Sequence, residues 1–467
     1  MIALLEPPAP LATGAASLSE LSFGALRARE FARLDARDEA YLDYTGSALP
    51  FDSHVAWHLT LLRTELFGNP HSESRTSLAS THWVDAARRS VLAFVDADPA
   101  EYEVVFTANA SAAVKLVGEG FPFGPQSRLV LSADNHNSVL GIREFARRAG
   151  VVATHVPLDA DLRLRDAQRI LESAVPRQPS LFAFPAQSNF SGVRHPLDLV
   201  HRARALGYVV LLDAAAFVPS APLSLRAVPA DFVTLSLYKL LGYPTGVGAL
   251  VARRDALARL RRPWFAGGTV EFSSVQNDMH MPRTGFAGFE DGTPNFLALS
   301  AVPYGLGMFR EIGMARVSEQ LRPMPVALIR ELHALRHRNG RPLVTVYGPT
   351  DGDARGGTVA FNLSDRRGHW IHHERVEARA AEHGVSVRSG CFCNPGAAEH
   401  AFGFDAARTA ACIESSRRHH PDPQLWKERF SRCMDGAPIG AVRASVGIAT
   451  NDRDLSRLLE SLDTWRH

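Results

Sequence analysis

Asp231-Phe-Val-Thr-Leu-Ser-Leu-Tyr-Lys-Leu-Leu-Gly-Tyr-Pro-Thr-Gly-Val-Gly248 is the stretch whose reading decides the fold. An apolar run of strand length closes on Tyr238-Lys239 and passes at once into a glycine-rich turn. That pattern predicts a buried strand delivering an amine to a loop. Outward from it, short apolar runs alternate with helical segments over about 103 to 252. Strands are expected at 103–107, 128–132, 151–156, 180–184, 208–212, 231–235 and 248–251. Such alternation predicts an α/β fold, a mostly parallel sheet with helices on both faces. Ligands in that architecture sit beyond the carboxyl ends of the strands.

Upstream, 40–44 reads as a short strand ending in the turn-prone Thr45-Gly46-Ser47. Helical periodicity covers 52–67 and 77–97, and residues 1–38 read as a loosely docked arm followed by a helix. From about 311 the texture changes: a long helical stretch to about 337, strands at 343–347 and 358–362, a helix at 371–383, a strand at 385–388, and a final helix after Asp452. The division expected is an N-terminal arm and first strand (1–50), a large domain (51–310) and a smaller α+β C-terminal domain (311–467).

Composition narrows the function. With 46% hydrophobic and 21% charged residues, the chain has the make-up of a soluble globular protein. A net charge of +2 gives no reason to expect a nucleic acid or an anionic membrane as partner. No apolar run approaches the roughly 20 residues a membrane helix needs. Met1-Ile-Ala-Leu-Leu-Glu-Pro-Pro8 lacks the basic start of a signal peptide. Four cysteines in 467 residues do not suggest a disulfide framework, so a reducing cytoplasm is the expected compartment.

Only three lysines occur against forty-eight arginines. Arginine stays protonated and cannot act as a nucleophilic amine, whereas a partly desolvated lysine can. Lys115 falls in a helix-like stretch and Lys427 in a charged run, which leaves Lys239 as the informative one. An amine held there can form a Schiff base with an aldehyde such as pyridoxal phosphate. Asp213 closes the strand 208–212, where a carboxylate can keep a pyridine nitrogen protonated and the ring an electron sink. Ala108-Asn-Ala-Ser111, between a strand and a helix, offers backbone amides, a helix dipole and a hydroxyl to an anion. Each signal alone is also what an ordinary helix cap or strand end looks like.

Taken together the chain resembles the class V aminotransferase-like family of pyridoxal phosphate enzymes, the cysteine desulfurases and their relatives. It is similar above all to the N-terminal domain of the molybdenum cofactor sulfurases. The motifs that carry the likeness are Tyr41-Leu-Asp-Tyr-Thr-Gly46, Gly68-Asn-Pro-His-Ser72, Asp134-Asn-His-Asn-Ser-Val-Leu-Gly141, Pro185-Ala-Gln-Ser-Asn-Phe-Ser-Gly-Val193 and Leu212-Asp-Ala-Ala215. Tyr238-Lys-Leu-Leu-Gly242, Phe289-Glu-Asp-Gly-Thr293, Arg388-Ser-Gly-Cys-Phe-Cys-Asn-Pro-Gly396 and Gly440-Ala-Val-Arg-Ala-Ser445 continue it in order. The implied fold is that of fold-type I, aspartate-aminotransferase-like transferases.

The resemblance also implies roles. Lys239, preceded by Tyr238, carries the Schiff base and moves protons, and Asp213 pairs with the pyridinium nitrogen. His136 stacks on the ring, while Asn189 and Gln187 reach its phenolic oxygen. Ala110, Ser111 and Ser236 hold the phosphate, and Thr293 is donated across a homodimer interface. Arg443 grips an amino-acid carboxylate, assisted by Arg388 and Asn189. Cys393 attacks the substrate sulfur, giving alanine and an enzyme persulfide that is passed to an acceptor protein or cofactor, in relatives a molybdenum-cofactor-related one. The alternative keeps the cofactor and changes the reaction, to a C–S lyase, epimerase or aminotransferase.

Some positions depart from the pattern. Ala216 stands where a polar residue is usual, and Asn109 where glycine is. The molybdenum cofactor sulfurases extend into a further domain beyond the last helix matched here, so the sulfur's destination stays open. Reading the four cysteines as a zinc site fits poorly, because Cys391-Phe-Cys393 with distant Cys412 and Cys433 is poor ligand spacing. A competing reading makes Cys412 and Cys433 inert buried thiols and leaves Cys393 without a role.

Overall fold

A seven-stranded sheet organises the larger part of the chain in the computed structural model, which describes residues 17–173, 176–417 and 429–466. Its strands lie in the spatial order Tyr102–Thr107, Gly248–Arg253, Phe232–Ser236, Val209–Asp213, Leu181–Pro185, Leu129–Ser132, Ala153–Val156. Five neighbours from Phe232–Ser236 to Ala153–Val156 run parallel, and Gly248–Arg253 is antiparallel to both its partners. All seven expected strands are present, within a residue or two of their expected limits.

Alternation along each strand feeds two separate cores. Val104, Phe182, Phe184, Val210 and Leu212 point into one, while Val105, Leu181, Ala183 and Leu211 point into the other. Both faces are therefore covered, which is why these strands read as continuous apolar runs rather than alternating ones. Phe182 and Phe184 are fully buried and stack at 4.8 Å. Truncating either to alanine costs about 3–5 kcal/mol, the transfer term plus the cavity left behind.

The second sheet is antiparallel, in the order Val344–Tyr347, Thr358–Ser364, Ala441–Ser445, Arg388–Gly390, with Trp370–Ile371 added to Thr358–Ser364. The helical stretch expected from about 311 to about 337 is two helices, Met314–Leu321 and Pro323–Ala334, which continue an earlier one, Val302–Ile312. Gly313, at φ 86°, breaks the first junction and Pro323, without a backbone N–H, opens the third helix.

The segment before residue 51 is bound to this second sheet and its helices. Ala40–Tyr41 pairs parallel with Val385–Ser386. Arg27, in the helix Phe23–Glu30, makes a buried ion pair at 2.6 Å with Asp454 of the last helix, Asp452–Asp463. Residues 1–16 of the expected arm, and Lys427, lie outside the described residues.

Two features differ from the sequence reading. A hairpin, Val270–Ser274 with Met279–Pro282, had no signal because its strands are exposed and lack a buried face. Cys412 and Cys433 are not free thiols but a disulfide, with their Cα atoms 5.8 Å apart. Folding brings both into one apolar cluster with Phe430 and Met434, a juxtaposition that spacing along the chain does not reveal. No helix among the described residues is long and apolar enough to cross a membrane, and no group of three metal-ligating side chains occurs among them.

Candidate active site

Five parallel strand ends build one cleft of about 610 Å³. Each contributes residues at or just past its carboxyl end. Asn109, Ala110 and Ser111 follow Tyr102–Thr107, and His136 and Ser138 follow Leu129–Ser132. Gln187 and Asn189 follow Leu181–Pro185, Asp213 ends Val209–Asp213, Ser236 ends Phe232–Ser236, and Tyr238 and Lys239 follow it. Every expected cofactor residue except Thr293 lines this cleft.

Its anion end is the start of the eleven-residue helix Ala110–Gly120. Asn109 caps that helix, its side chain accepting from the Ala112 amide at 3.0 Å. Ser111 and Ser138 share a hydrogen bond of 2.6 Å at the same end. Ser138 was not singled out from sequence, although it lies in the quoted 134–141 motif. Gly248 makes the arrangement possible: a Cβ there would stand 2.3 Å from the Asn109 carbonyl carbon and 2.7 Å from the Ala110 nitrogen.

Asp213 sits at the opposite end, one oxygen accepting from Thr234 Oγ1 at 3.0 Å and the Ala215 amide at 3.1 Å. Those bonds fix the carboxylate toward the cleft. Lys239, on the short helix Leu237–Leu241, has its amine pushed below the ordinary lysine value, chiefly by burial. Arg443 and Arg388 lower it further, while Asp213 and Cys393 oppose the shift. A lysine so placed reaches the neutral, nucleophilic form more readily. Burial likewise lowers His136, with Lys239 adding to the effect and Asp213 opposing it. A neutral imidazole suits a ring that must stack rather than repel.

Two residues expected to meet the cofactor also bond within the protein. Gln187 donates to the Ala216 carbonyl at 2.9 Å and accepts from Arg194 at 3.2 Å. Asn189 donates to the Phe392 carbonyl at 2.7 Å and accepts from Asn394 at 3.0 Å. Both border the cleft, and each amide nitrogen keeps a second N–H beyond these bonds.

The substrate side is also closed on itself. Arg388 and Arg443 are direct register partners on adjacent antiparallel strands. Like charges so placed destabilise a sheet unless an anion lies between them. Asp43 is that anion: one oxygen accepts from Arg388 at 2.6 Å and the other from Arg443 at 3.0 Å. Arg443 also donates to the Asn189 carbonyl at 3.0 Å and lies under the Phe392 ring, 4.6 Å from its centroid. Neither arginine is among the residues that line the cleft. Asp43 lies in the quoted 41–46 motif but had no assigned task.

Cys391 and Cys393 are free and exposed. Thr293 stands outside the cleft of its own chain, exposed, and accepts from Asn69 at 3.3 Å.

The comparisons with known proteins agree with this geometry. The Aminotransferase class-V model matches residues 40–458, and the chain belongs to that family. Molybdenum cofactor sulfurase of Solanum lycopersicum is 35% identical over 94% of this chain and 56% of its own length. The human protein of the same name is 33% identical over 99% of this chain and 53% of its own. The chain thus spans about half the length of the curated relatives it matches. The fold is that of a cysteine desulfurase from Thermococcus onnurineus NA1, with TM-score 0.76, 24% identity, and coverage of 94% of this chain and 96% of that one. The cysteine desulfurase CsdA of Escherichia coli gives TM-score 0.73 at 20% identity, covering 95% and 98%.

The cofactor this cleft fits is pyridoxal phosphate. A helix start with paired serines suits the phosphate, Asp213 a pyridinium nitrogen, and Lys239 the aldehyde.

Proposed function

We propose that the chain is a pyridoxal-phosphate-dependent sulfurtransferase that acts as a cysteine desulfurase, taking sulfur from L-cysteine onto Cys393 and releasing L-alanine. The observation that carries this reading is an exposed Cys393 whose carbonyl accepts from the Asn137 amide at 2.7 Å, next to His136 in the wall of a cleft that fits the cofactor. When bound, pyridoxal phosphate supplies a ring that withdraws electrons from the amino acid attached to it. Asp213 would hold the ring nitrogen protonated, and His136 would pack against the ring. Lys239 removes and returns protons at the substrate carbon. The Cys393 thiolate attacks the substrate sulfur, the carbon–sulfur bond breaks toward carbon, and the persulfide stays on Cys393. Arg443 receives the substrate carboxylate when Phe392 and Asn189 give way.

The sulfur then passes to an acceptor, and the names of the relatives favour a molybdenum cofactor. A homodimer completes the site. The turn carrying Thr293 is bonded to the base of the exposed hairpin, Gly292 donating to Gly267 at 2.9 Å. That hairpin presents Phe272, Met279 and Met281, all more than half exposed, beside Trp264. An apolar patch of this kind suits a second copy, which would receive Thr293 at its own cleft.

Mass spectrometry of the Cys393 peptide, after the cofactor-loaded protein meets L-cysteine, tests the reading. One added sulfur atom with alanine released supports it. A cofactor spectrum that responds to amino acids without sulfur at Cys393 points instead to a cysteine-independent class V reaction.

A further inference from the structure

Phe392 and Cys393 both have φ of 56°, the left-handed region that non-glycine residues seldom adopt. Each such residue costs on the order of 1–2 kcal/mol and persists only where its surroundings impose it. Here they do. Three consecutive carbonyls each accept a hydrogen bond: Cys391 from the Asn394 amide at 3.0 Å, Phe392 from the Asn189 side chain at 2.7 Å, and Cys393 from the Asn137 amide at 2.7 Å.

These bonds trace back to one buried carboxylate. Asn394 donates to Asp134 at 2.6 Å and to Asn189 at 3.0 Å, while its oxygen caps the helix Pro395–Ala401 through the Ala397 amide. Asp134 is fully buried and is itself fixed by Ser188 at 2.8 Å and His195 at 2.7 Å. The backbone confirms how tight the contact is: a Cβ on Gly396 would lie 2.1 Å from the Ala133 carbonyl oxygen. Asp134 touches neither the cleft nor the thiol. Its side chain reaches the turn directly through Asn394 and, through Ser188, the backbone next to Asn189.

We propose that Asp134 is a positioning residue for the Cys393 thiol, fixing the left-handed Phe392–Cys393 turn through Asn394. The inference rests on the reading of Cys393 as the sulfur-accepting thiol. Asn189 extends the same bridge to the cleft wall, so the turn and the cofactor side are joined by one buried network.

Asn394→Ser tests this, because serine keeps an oxygen for the Ala397 amide but is too short to reach Asp134. Asp134→Asn is the second variant, which removes the charge and keeps the shape. Hydrogen exchange in the cofactor-loaded protein should quicken at least about five-fold for the peptide spanning 391–395 in both variants, and stay unchanged in the strand 181–185. Single-turnover sulfur transfer to Cys393 should fall on the order of a hundred-fold, with the cofactor absorbance intact. Unchanged exchange in both variants overturns the proposal, whatever the activity. Faster exchange with wild-type sulfur transfer also overturns it, since the contact then only stabilises. If the parent protein forms no persulfide, the functional reading fails. Exchange then still decides whether Asp134 holds the turn.

Discussion

The cofactor cleft and the cysteine–arginine side face each other, yet they are finished to different degrees. In the cleft, Lys239 and Asp213 are directed at open space, and burial holds Lys239 away from its charged form. Across from it, Arg443, Arg388, Asn189 and Asn394 are bonded to Asp43, to Asp134 and to one another. One half is set to receive a ligand, and the other must exchange internal partners for external ones. Cofactor binding should therefore be tolerant of changes on the cysteine side, whereas turnover should not.

The largest expected effect is that of Lys239→Ala, about a thousand-fold or more on alanine release, together with loss of the visible band of the bound cofactor. Cys393→Ala should end persulfide formation to a similar extent while leaving that band in place. If both variants lose the band, the two halves are one unit and the contrast breaks.

Asp43→Ala comes next. It removes the anion between two register-paired arginines and strands Arg443, whose side chain is 3% exposed. A loss of about 3–5 kcal/mol in stability is expected, read by chemical denaturation. Adding Arg443→Met should restore much of it, since no buried charge is then unpaired.

Lys239 gives a smaller, pH-dependent effect. Its pKa is lowered in the folded chain, so between that value and the unfolded one the unfolded state binds more protons. Stability of the cofactor-free protein should thus rise as pH climbs toward the ordinary lysine value of ~10, and the rise should shrink in Lys239→Met. The same slope in both proteins would remove burial of this amine as the cause. Smallest of all, Ser138→Ala should weaken pyridoxal phosphate binding by about two- to ten-fold, measured by fluorescence titration, as expected for one lost hydrogen bond.

On the cofactor side, strand periodicity made Asp213, Lys239 and the 108–111 turn legible, and the resemblance to the family supplied the other residues. Knowing that 208–212 and 231–235 are parallel strands is enough to put Asp213 and Lys239 at neighbouring carboxyl ends. Asp43 was not legible in that way. Its meaning depends on two arginines brought beside it by a different sheet, and nothing local to the 41–46 motif says which cations it meets. The same holds for Asp134 and Asn394, which lie 260 residues apart. Gln187 and Asn189 were placed at the correct cleft, but the partners they prefer there are backbone carbonyls and an asparagine visible only in the fold. The hairpin at 270–282 escaped notice because Phe272, Met279 and Met281 are exposed, so burial imposes no alternation on them.

Asp43 and Arg443 lie 400 residues apart, and their contact has a consequence for synthesis. The carboxylate leaves the ribosome long before the strand Ala441–Ser445 that supplies its guanidinium, a delay of roughly 20–80 seconds at ordinary elongation rates. The seven strands of the large sheet are complete by residue 253 and can assemble in that interval. A nascent chain can therefore build the cofactor cleft before it has Arg443, the guanidinium proposed to hold an amino-acid carboxylate, so binding of the cofactor can precede binding of a substrate.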